Sequence, residues 1–584
     1  MRASVGRSGA VALAVVVALV VALVVLRSGD DSHPQTRPQP GTTPGGGPGQ
    51  AAPQSTPEPK ATAQLPKQPN IVVVMADDMR VDDLAFAPNV RRIIARHGVT
   101  FENSFSPYPL CCPARASFLT GEYAHNHKVF WHTPPYGYGA FDDSRTLATS
   151  LSAAGYRTGF VGKYLNRYGV ALSKVSGEPS YRFVPPGWTD WRAAVENPGN
   201  AGFHGQTYDY FDTPFNVNGT IDNRYRGIYQ SKVIGDFSVA MARRFAAQRD
   251  PFFMYVNYVA PHHGGPAEPD DPRPTRSVRG RWGSLPTPAR PDWAKGWFDK
   301  VIDRGAGVAR TGQPLELNRR DKPRPVQRRT QDLNVPDQLD ALRTVTRQRA
   351  EAVMVMDRNI ARLVRELKRS GAWDDTVLMF TSDNGMIIGE HGFQLTKVWA
   401  YEPSLRVPLL MTGPGLRTEQ KRYDPISTVD LSATILDMAD AQPPRTADGI
   451  SRVPTLEQGD QGWATPIVSE AMNTSPGDDP DFTDVRTTIG LRVSRYSYTR
   501  FRNGGGELYD LVTDPREDHN KYWDRSYRKI RAALDELWLK VKDCKGEQCR
   551  MPLPDVLAAS PTSNREATDA YWTAIRAAYG WDRP

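Results

Sequence analysis

The chain has 584 residues, among them 13 Trp, 23 Tyr and 20 Phe, and is 39% hydrophobic. That supply of apolar and aromatic side chains excludes wholesale disorder, and the length exceeds the roughly 100–200 residues of one ordinary domain, as large α/β enzymes often do. Four cysteines exclude a disulfide-built scaffold, none is spaced like a zinc finger, and a net charge of +8 with both signs interspersed admits an acidic partner without calling for nucleic acid.

The chain begins with a membrane signal. After a stub, residues 1–8, that carries Arg2 and Arg7, the segment Gly9–Leu26 has no charged or strongly polar side chain. At about 1.5 Å per residue it spans roughly 27 Å, close to a bilayer core of about 30 Å. Cleaved signal peptides usually have apolar regions of about 7–15 residues, so an uncleaved transmembrane anchor is expected ahead of a signal peptide. No cysteine follows it to carry a lipid. Either way the remainder is exported, anchored at the cell membrane or secreted. Residues 27–69 lack Phe, Trp and Tyr and are crowded with Pro, Gly, Gln, Ser and Thr, the composition of a disordered tether.

From Asn70 the texture changes. Ile71–Met75 is a continuous apolar run that ends in Asp77 and Asp78, as expected of a strand buried on both faces of a parallel sheet. Phe252–Val259 leads likewise into Pro261 and His262, and Thr376–Phe380 into Asp383 and Asn384. Between the last two, Val353, Met356, Ile360, Leu363, Val364 and Leu367 mark one face of a helix that stops at Gly371. Strands alternating with helices predict an α/β fold with its ligand outside the carboxyl ends of the strands. The stretch 263–336 is a basic insertion, with fifteen Lys and Arg against nine Asp and Glu, and reads as a binding loop or a solvated surface insertion.

The most informative stretch is Pro109–Gly121, Pro-Leu-Cys-Cys-Pro-Ala-Arg-Ala-Ser-Phe-Leu-Thr-Gly. Pro113 suits a first helical turn, which puts Cys111 at the helix N-terminus, where free N–H groups favour an anion, and Arg115 one turn in. On these grounds alone Cys111 could be a low-pKa thiolate nucleophile.

This stretch resembles the first signature of the type I sulfatases, C-x-P-x-R followed by two apolar residues and T-G. Gly155–Lys163, Gly-Tyr-Arg-Thr-Gly-Phe-Val-Gly-Lys, resembles their second. The resemblance runs from Asn70 to Glu507–Leu511 and Asp514-Pro515. It implies an alkaline-phosphatase-like mixed sheet flanked by helices over residues 70–468, and a smaller C-terminal α+β subdomain over 469–584. It further implies that a formylglycine-generating maturation enzyme oxidises Cys111 to formylglycine (3-oxoalanine). The aldehyde hydrate has two hydroxyls, one to take sulfate from the substrate as a covalent ester and the other to expel it. Arg115, Lys163, Lys397 and His262 match the family's other catalytic residues, the lysines holding sulfate and His262 contacting it or protonating the leaving oxygen. Asp77, Asp78, Asp383 and Asn384, with the residue at Cys111, match the ligands of one Ca2+ per chain. The all-oxygen character of those four side chains independently favours calcium over zinc.

One departure stands out. Many sulfatases have a histidine two residues after the lysine matching Lys163, where this chain has Leu165 and then Asn166. His125, His127, Asn166 and His391 are the candidates for substrate contacts, and the three histidines for that missing role. The wording of Gly162–Gly169, Leu110–Pro113 and Tyr123–His127 resembles the N-acetylglucosamine-6-sulfatases. The expected function is therefore hydrolysis of a sulfate ester, on 6-O-sulfated N-acetylglucosamine or a related sulfated glycan. The rivals are a phosphatase or phosphonate monoester hydrolase of the same fold, and a non-catalytic glycan-binding relative. Cys544 and Cys549, spaced C-x4-C, are expected to form a disulfide in an exported protein.

Overall fold

The computed structural model describes residues 64–277, 279–310, 315–474 and 477–581. The stub, the apolar segment 9–26 and the tether up to residue 63 lie outside the described residues; among those described, no helix is long and apolar enough to cross a membrane.

The apolar runs become strands of one sheet. In chain order these are β1 (Asn70–Ala76), β2 (Gly98–Phe101), β3 (Arg157–Lys163), β4 (Asp190–Ala194), β5 (Phe215–Val217), β6 (Thr220–Asp222), β7 (Phe252–Asn257), β8 (Thr376–Ser382), β9 (Leu409–Thr412) and β10 (Gln420–Arg422). The spatial order is β10-β2-β9-β8-β1-β7-β3-β4-β5-β6. The central five, β8 to β4, pair in parallel, while β9 and β2 on one side and β5 and β6 on the other join antiparallel, so the sheet is mixed.

Helices cover both faces, which is why β1 is apolar throughout instead of alternating. Val72, Val74 and Ala76 pack with Met241 and Phe245 of α3 (Gln230–Ala246) and with Val353, Met356 and Ile360 of α4 (Pro336–Arg369). Ile71, Val73 and Met75 face the other way, toward Phe118 and Leu119 of α1 (Cys111–Thr120) and Leu431 and Ile435 of α5 (Thr428–Met438). A short α2 (Ala124–His127) follows α1. The periodic residues of α4 are buried as predicted, and the helix stops just before Gly371, whose φ is +75°.

A second, antiparallel sheet of four strands follows: β11 (Ile467–Ala471), β12 (Thr488–Val493), β13 (Tyr496–Phe501) and β14 (Gly506–Asp510). Against it lies α6 (Arg528–Val541), where Trp538 Nε1 donates to the Ile489 carbonyl at 3.1 Å; α7 (Pro561–Tyr579) ends the described chain. Ser469 lies inside β11. Cys544 and Cys549 are joined in a disulfide just beyond α6. The architecture is thus the α/β sheet with a smaller α+β C-terminal part.

Candidate active site

Strand register brings the site together. Ala76 pairs with Ser382 and Met75 with Asn257, so Asp77 leaves β1 beside Asp383 leaving β8, with Asn257 and Lys163 closing β7 and β3. All four lie at the carboxyl ends of parallel strands. Gly162, just before Lys163, has φ +96°, and a Cβ there would meet the Asn257 carbonyl oxygen at 1.8 Å, so only glycine fits.

Asp77, Asp78, Asp383 and Asn384 are fully buried. Asp78 adopts the left-handed φ of +64°, an uncommon conformation for a non-glycine residue. The Asp383 carboxylate accepts from the backbone N–H groups of Asp78 (3.0 Å) and Asn384 (2.8 Å), and Asn384 Nδ2 donates to Asp78 Oδ1 at 2.7 Å. Three oxygens, Asp77 Oδ1, Asp78 Oδ2 and Asn384 Oδ1, are buried without a hydrogen-bond partner. Buried polar atoms are nearly always satisfied, so convergent orphan oxygens fit a hard cation.

Cys111 begins α1 and is 2% exposed; the helix ends at Gly121 in the left-handed cap that the T-G of the motif provides. The Cys111 thiol donates to Asn166 Oδ1 at 3.2 Å and accepts from Lys397 Nζ at 3.6 Å. Burial pushes this thiol up despite Lys163 and Lys397, so an unmodified Cys111 is not a thiolate nucleophile near neutral pH. Arg115 fans out below it: Nε to Asp383 at 2.8 Å, and Nη1 to Asn257 Oδ1 at 2.8 Å and the Lys163 carbonyl at 3.0 Å. Lys163 pairs with Asp77 and Lys397 with Asp78. Burial opposes charge on both lysines, and those carboxylates outweigh it, holding both pKa values above the ordinary lysine range.

His262 Nε2 stands 3.6 Å from Asp78 Oδ2, while its Nδ1–H donates to the His263 carbonyl at 2.6 Å. Burial keeps this imidazole neutral. Residues that the sequence did not single out complete the surroundings. Tyr208 lies under Lys163 (5.0 Å) and beside His262 (4.7 Å), and its hydroxyl accepts from Asn166 Nδ2 at 2.5 Å. Asn257 anchors Arg115, and Arg349 Nη2 donates to the Asp78 carbonyl at 2.7 Å. Asn257, a polar residue closing an apolar strand, was the one with a sequence signal.

The structure separates the remaining candidates. Leu165 is packed into the core and Asn166, one residue on, faces Cys111. The three histidines are tied up elsewhere. His125 bonds Glu470 Oε1 through Nδ1 and the Cys544 carbonyl through Nε2, both at 2.6 Å. His127 bonds Ser117 Oγ (2.9 Å) and the Val129 N–H (3.1 Å), and His391 bonds Glu316 (2.9 Å) and stacks on Tyr401. Among the described residues, none of their hydrogen bonds or ring contacts is with a member of the Cys111 cluster, so these contacts lend no support to the expectation that one of them takes the place of the missing histidine. Each makes sense as a buried imidazole whose nitrogens need partners.

The sulfatase domain matches residues 69–441. The chain belongs to the sulfatase family. It is a sulfuric ester hydrolase. The C-terminal domain of N-sulphoglucosamine sulphohydrolase matches residues 389–543 of the same sulfatase. An N-acetylglucosamine-6-sulfatase of Capra hircus is 26% identical over 526 residues, 83% of this chain and 85% of the relative. An extracellular sulfatase homologue of Drosophila melanogaster is 30% identical over 67% of this chain, which spans only 31% of that longer protein. A structure solved with its substrate D-glucosamine-2-N,6-O-disulfate superposes with a TM-score of 0.58 at 22% identity, covering 81% of this chain and 97% of that one. A phosphonate monoester hydrolase of Silicibacter pomeroyi superposes at 0.57 and 22% identity, over 84% and 99%. At such identities the superpositions establish the fold alone.

Beyond the candidate site of this sulfatase, His125 couples α2 to the C-terminal sheet. Glu470 on β11 accepts from both His125 and Arg486, and these outweigh burial to hold it at about 2; His125 is raised by the same contact. The His125 contribution is complete below its ordinary pKa of about 6.5 and fades as pH rises through its raised folded value. The Glu470 contribution is complete above about 4.5 and fades as pH falls toward 2. Glu470→Gln takes the carboxylate partner from buried His125, while Arg486 keeps Asp484 and Asp543, and is expected to cost about 3 kcal/mol near pH 6. Denaturant midpoints across pH 3–8 measure this; a variant as stable as wild type, with the same pH dependence, would refute the coupling.

Proposed function

We propose that the protein removes a 6-O-sulfate from N-acetylglucosamine, or from a related sulfated glycan, using formylglycine at position 111 and one Ca2+ held by Asp77, Asp78, Asp383, Asn384 and the modified residue. The observation that carries this reading is the cluster at Cys111: two buried cations, Arg115 and Lys163, the partly buried Lys397, three carboxylates, an amide, and oxygens without partners. Three cations and three carboxylates balance, so a divalent cation would give the site the positive charge that an anionic sulfate ester needs. Such a cation would acidify the attacking hydroxyl and hold a sulfate oxygen. Formylglycine would supply two hydroxyls on one carbon, one to take the sulfuryl group and one to release it.

The chain's own residues do the rest. Arg115 locks Asp383, Asn257 and the end of β3 into one rigid block. Lys163 and Lys397, both kept charged, bind sulfate oxygens, and His262, whose resting proton is on Nδ1, contacts the sulfate or passes a proton to the leaving oxygen once Nε2 has taken one up. Asn166, braced by Tyr208, orients the side chain at 111. An amide cannot act as a base, so Asn166→Ala is expected to lower kcat/KM about ten- to a hundred-fold, the worth of one strong hydrogen bond, and to leave the shape of the pH–rate profile unchanged. A displaced profile, or wild-type activity, would remove Asn166 from this role.

We further place the catalytic domain at 70–468 and the smaller subdomain at 469–584. Export fits the apolar segment 9–26 and the relatives in Drosophila melanogaster and Caenorhabditis elegans whose names describe extracellular sulfatases. Mass spectrometry of the peptide containing Cys111, from protein made in its native host, tests the reading: sulfur replaced by an aldehyde oxygen supports it, and a plain thiol overturns it. Parallel assays on aryl sulfate, aryl phosphate and an aryl phosphonate separate it from the rival hydrolases of the same fold.

A further inference from the structure

A cleft of about 800 Å³ opens beside the site. Thr396 and Val398, on either side of Lys397, form part of its wall, and Trp131, Tyr136, Val398 and Met472 pack on the apolar cluster that contains Cys111. Its size is within the range of about 300–1,000 Å³ that encloses ligands of two or three rings. Among the described residues no Asp or Glu lines it, whereas Arg279, Arg329 and Arg502 do.

The arginines come from separate parts of the chain. Arg279 and Arg329 belong to the basic insertion, are exposed, and have no ion-pair partner among the described residues; Arg502 follows β13 and donates to the carbonyls of Gly477 and Asp484. A neighbouring depression shares Arg279 and Arg329 and adds Arg328, again with no carboxylate among the described residues. Aromatic side chains, Trp131, Tyr136 and Trp399, share the larger cleft. Guanidinium groups bind sulfate or carboxylate through paired N–H donors, and aromatic faces suit sugar rings.

We propose that this cleft holds a second anionic group of the substrate, on a sugar adjoining the one that is desulfated, so that the substrate is an oligosaccharide carrying at least two anions. The proposal rests on the sulfatase reading of the neighbouring site. It gives the basic insertion a role: it supplies the ligands of an anion that is never hydrolysed. Sulfate and uronate carboxylate present the same chemistry to an arginine, and the substrates below distinguish them.

Three substrates with a terminal 6-sulfated glucosamine provide the test. They are N-acetylglucosamine-6-sulfate, a sulfated N-acetyllactosamine tetrasaccharide whose anions are all sulfates, and a heparosan-type tetrasaccharide in which the other anions are carboxylates. The readout is the ratio of kcat/KM on each tetrasaccharide to that on the monosaccharide, for wild type, Arg279→Ala/Arg329→Ala and Arg502→Ala. Wild type is expected to favour at least one tetrasaccharide about ten-fold or more, and the double variant to lose most of that preference. Loss confined to one tetrasaccharide identifies the second anion. An equal ratio in wild type and both variants, on both tetrasaccharides, overturns the proposal.

Calorimetric binding of the same tetrasaccharides to Cys111→Ala, with and without the arginine substitutions, gives a readout that needs no turnover. Arginine-dependent binding, weakening between low and 0.15 M salt as exposed charges are screened, upholds the cleft even where no sulfate is released. In that case the sulfatase reading alone fails. Binding that ignores the arginines overturns the cleft.

Discussion

Cys111→Ser is expected to fold normally and to release no sulfate in steady state. Oxygen replaces sulfur at a site where the side chain donates one hydrogen bond, to Asn166, and serine makes the same bond. The hydroxyl has no second oxygen on its carbon, so at best one sulfate is retained on the serine and the cycle stops. Removing a nucleophile that acts as one unit with its partners costs on the order of 10⁴-fold or more in kcat. Sulfate release over many turnovers measures the loss, and intact-protein mass spectrometry detects the retained group. Turnover near the wild-type rate would refute the mechanism.

The second large effect belongs to Asp383. At the end of a strand its side chain looks dispensable to the fold, but Arg115, 1% exposed, depends on it. Asp383→Ala therefore leaves a buried guanidinium without its counter-charge and is expected to cost about 3–5 kcal/mol as well as activity. Asp383→Asn is the cleaner probe. It keeps an acceptor for Arg115, at the cost of turning an NH2 toward the Asp78 and Asn384 N–H groups, and removes one anionic oxygen from the cation site, so activity is expected to collapse with a smaller loss of stability than in Asp383→Ala. Thorough chelation of the wild type should likewise abolish turnover and lower its thermal midpoint, with Ca2+ restoring both better than Zn2+. Activity and midpoint unaffected by chelation would rule out the cation site.

What could be read from the sequence was local. An apolar run ending in a carboxylate is a self-contained signal, and β1 and β8 delivered Asp77, Asp78, Asp383 and Asn384 to one sheet edge because parallel strands put their carboxyl ends together. The Cys111–Gly121 motif was legible because proline and glycine punctuate a helix at fixed offsets. The histidines were not, because their fates depend on distant partners: Glu470 lies 345 residues from His125, and Glu316 lies 75 from His391. Leu165 and Asn166 sit past the end of β3, where no period fixes which of two neighbours turns inward. Tyr208 and the arginine-lined cleft come from irregular stretches brought together only by tertiary structure.

The burial of Cys111 also sets a clock. Its thiol is closed in by Lys397, and its helix is tied through Arg115 to Asp383, partners that lie 286 and 268 residues apart in sequence. A ribosome adding about 5–20 residues per second needs roughly 13–57 s to travel those distances. During that interval the Cys111 segment exists without the strands and loops that later enclose it. An enzyme that must grasp the Cys111 segment as an extended peptide has that interval to work in; once β8 and the Lys397 loop have docked, the same residue is reachable only through local unfolding. If Cys111 is converted to formylglycine as proposed, expression that outpaces conversion would leave a fraction of well-folded molecules with an unconverted cysteine, and slowing translation, not adding enzyme after synthesis, would be the way to recover them.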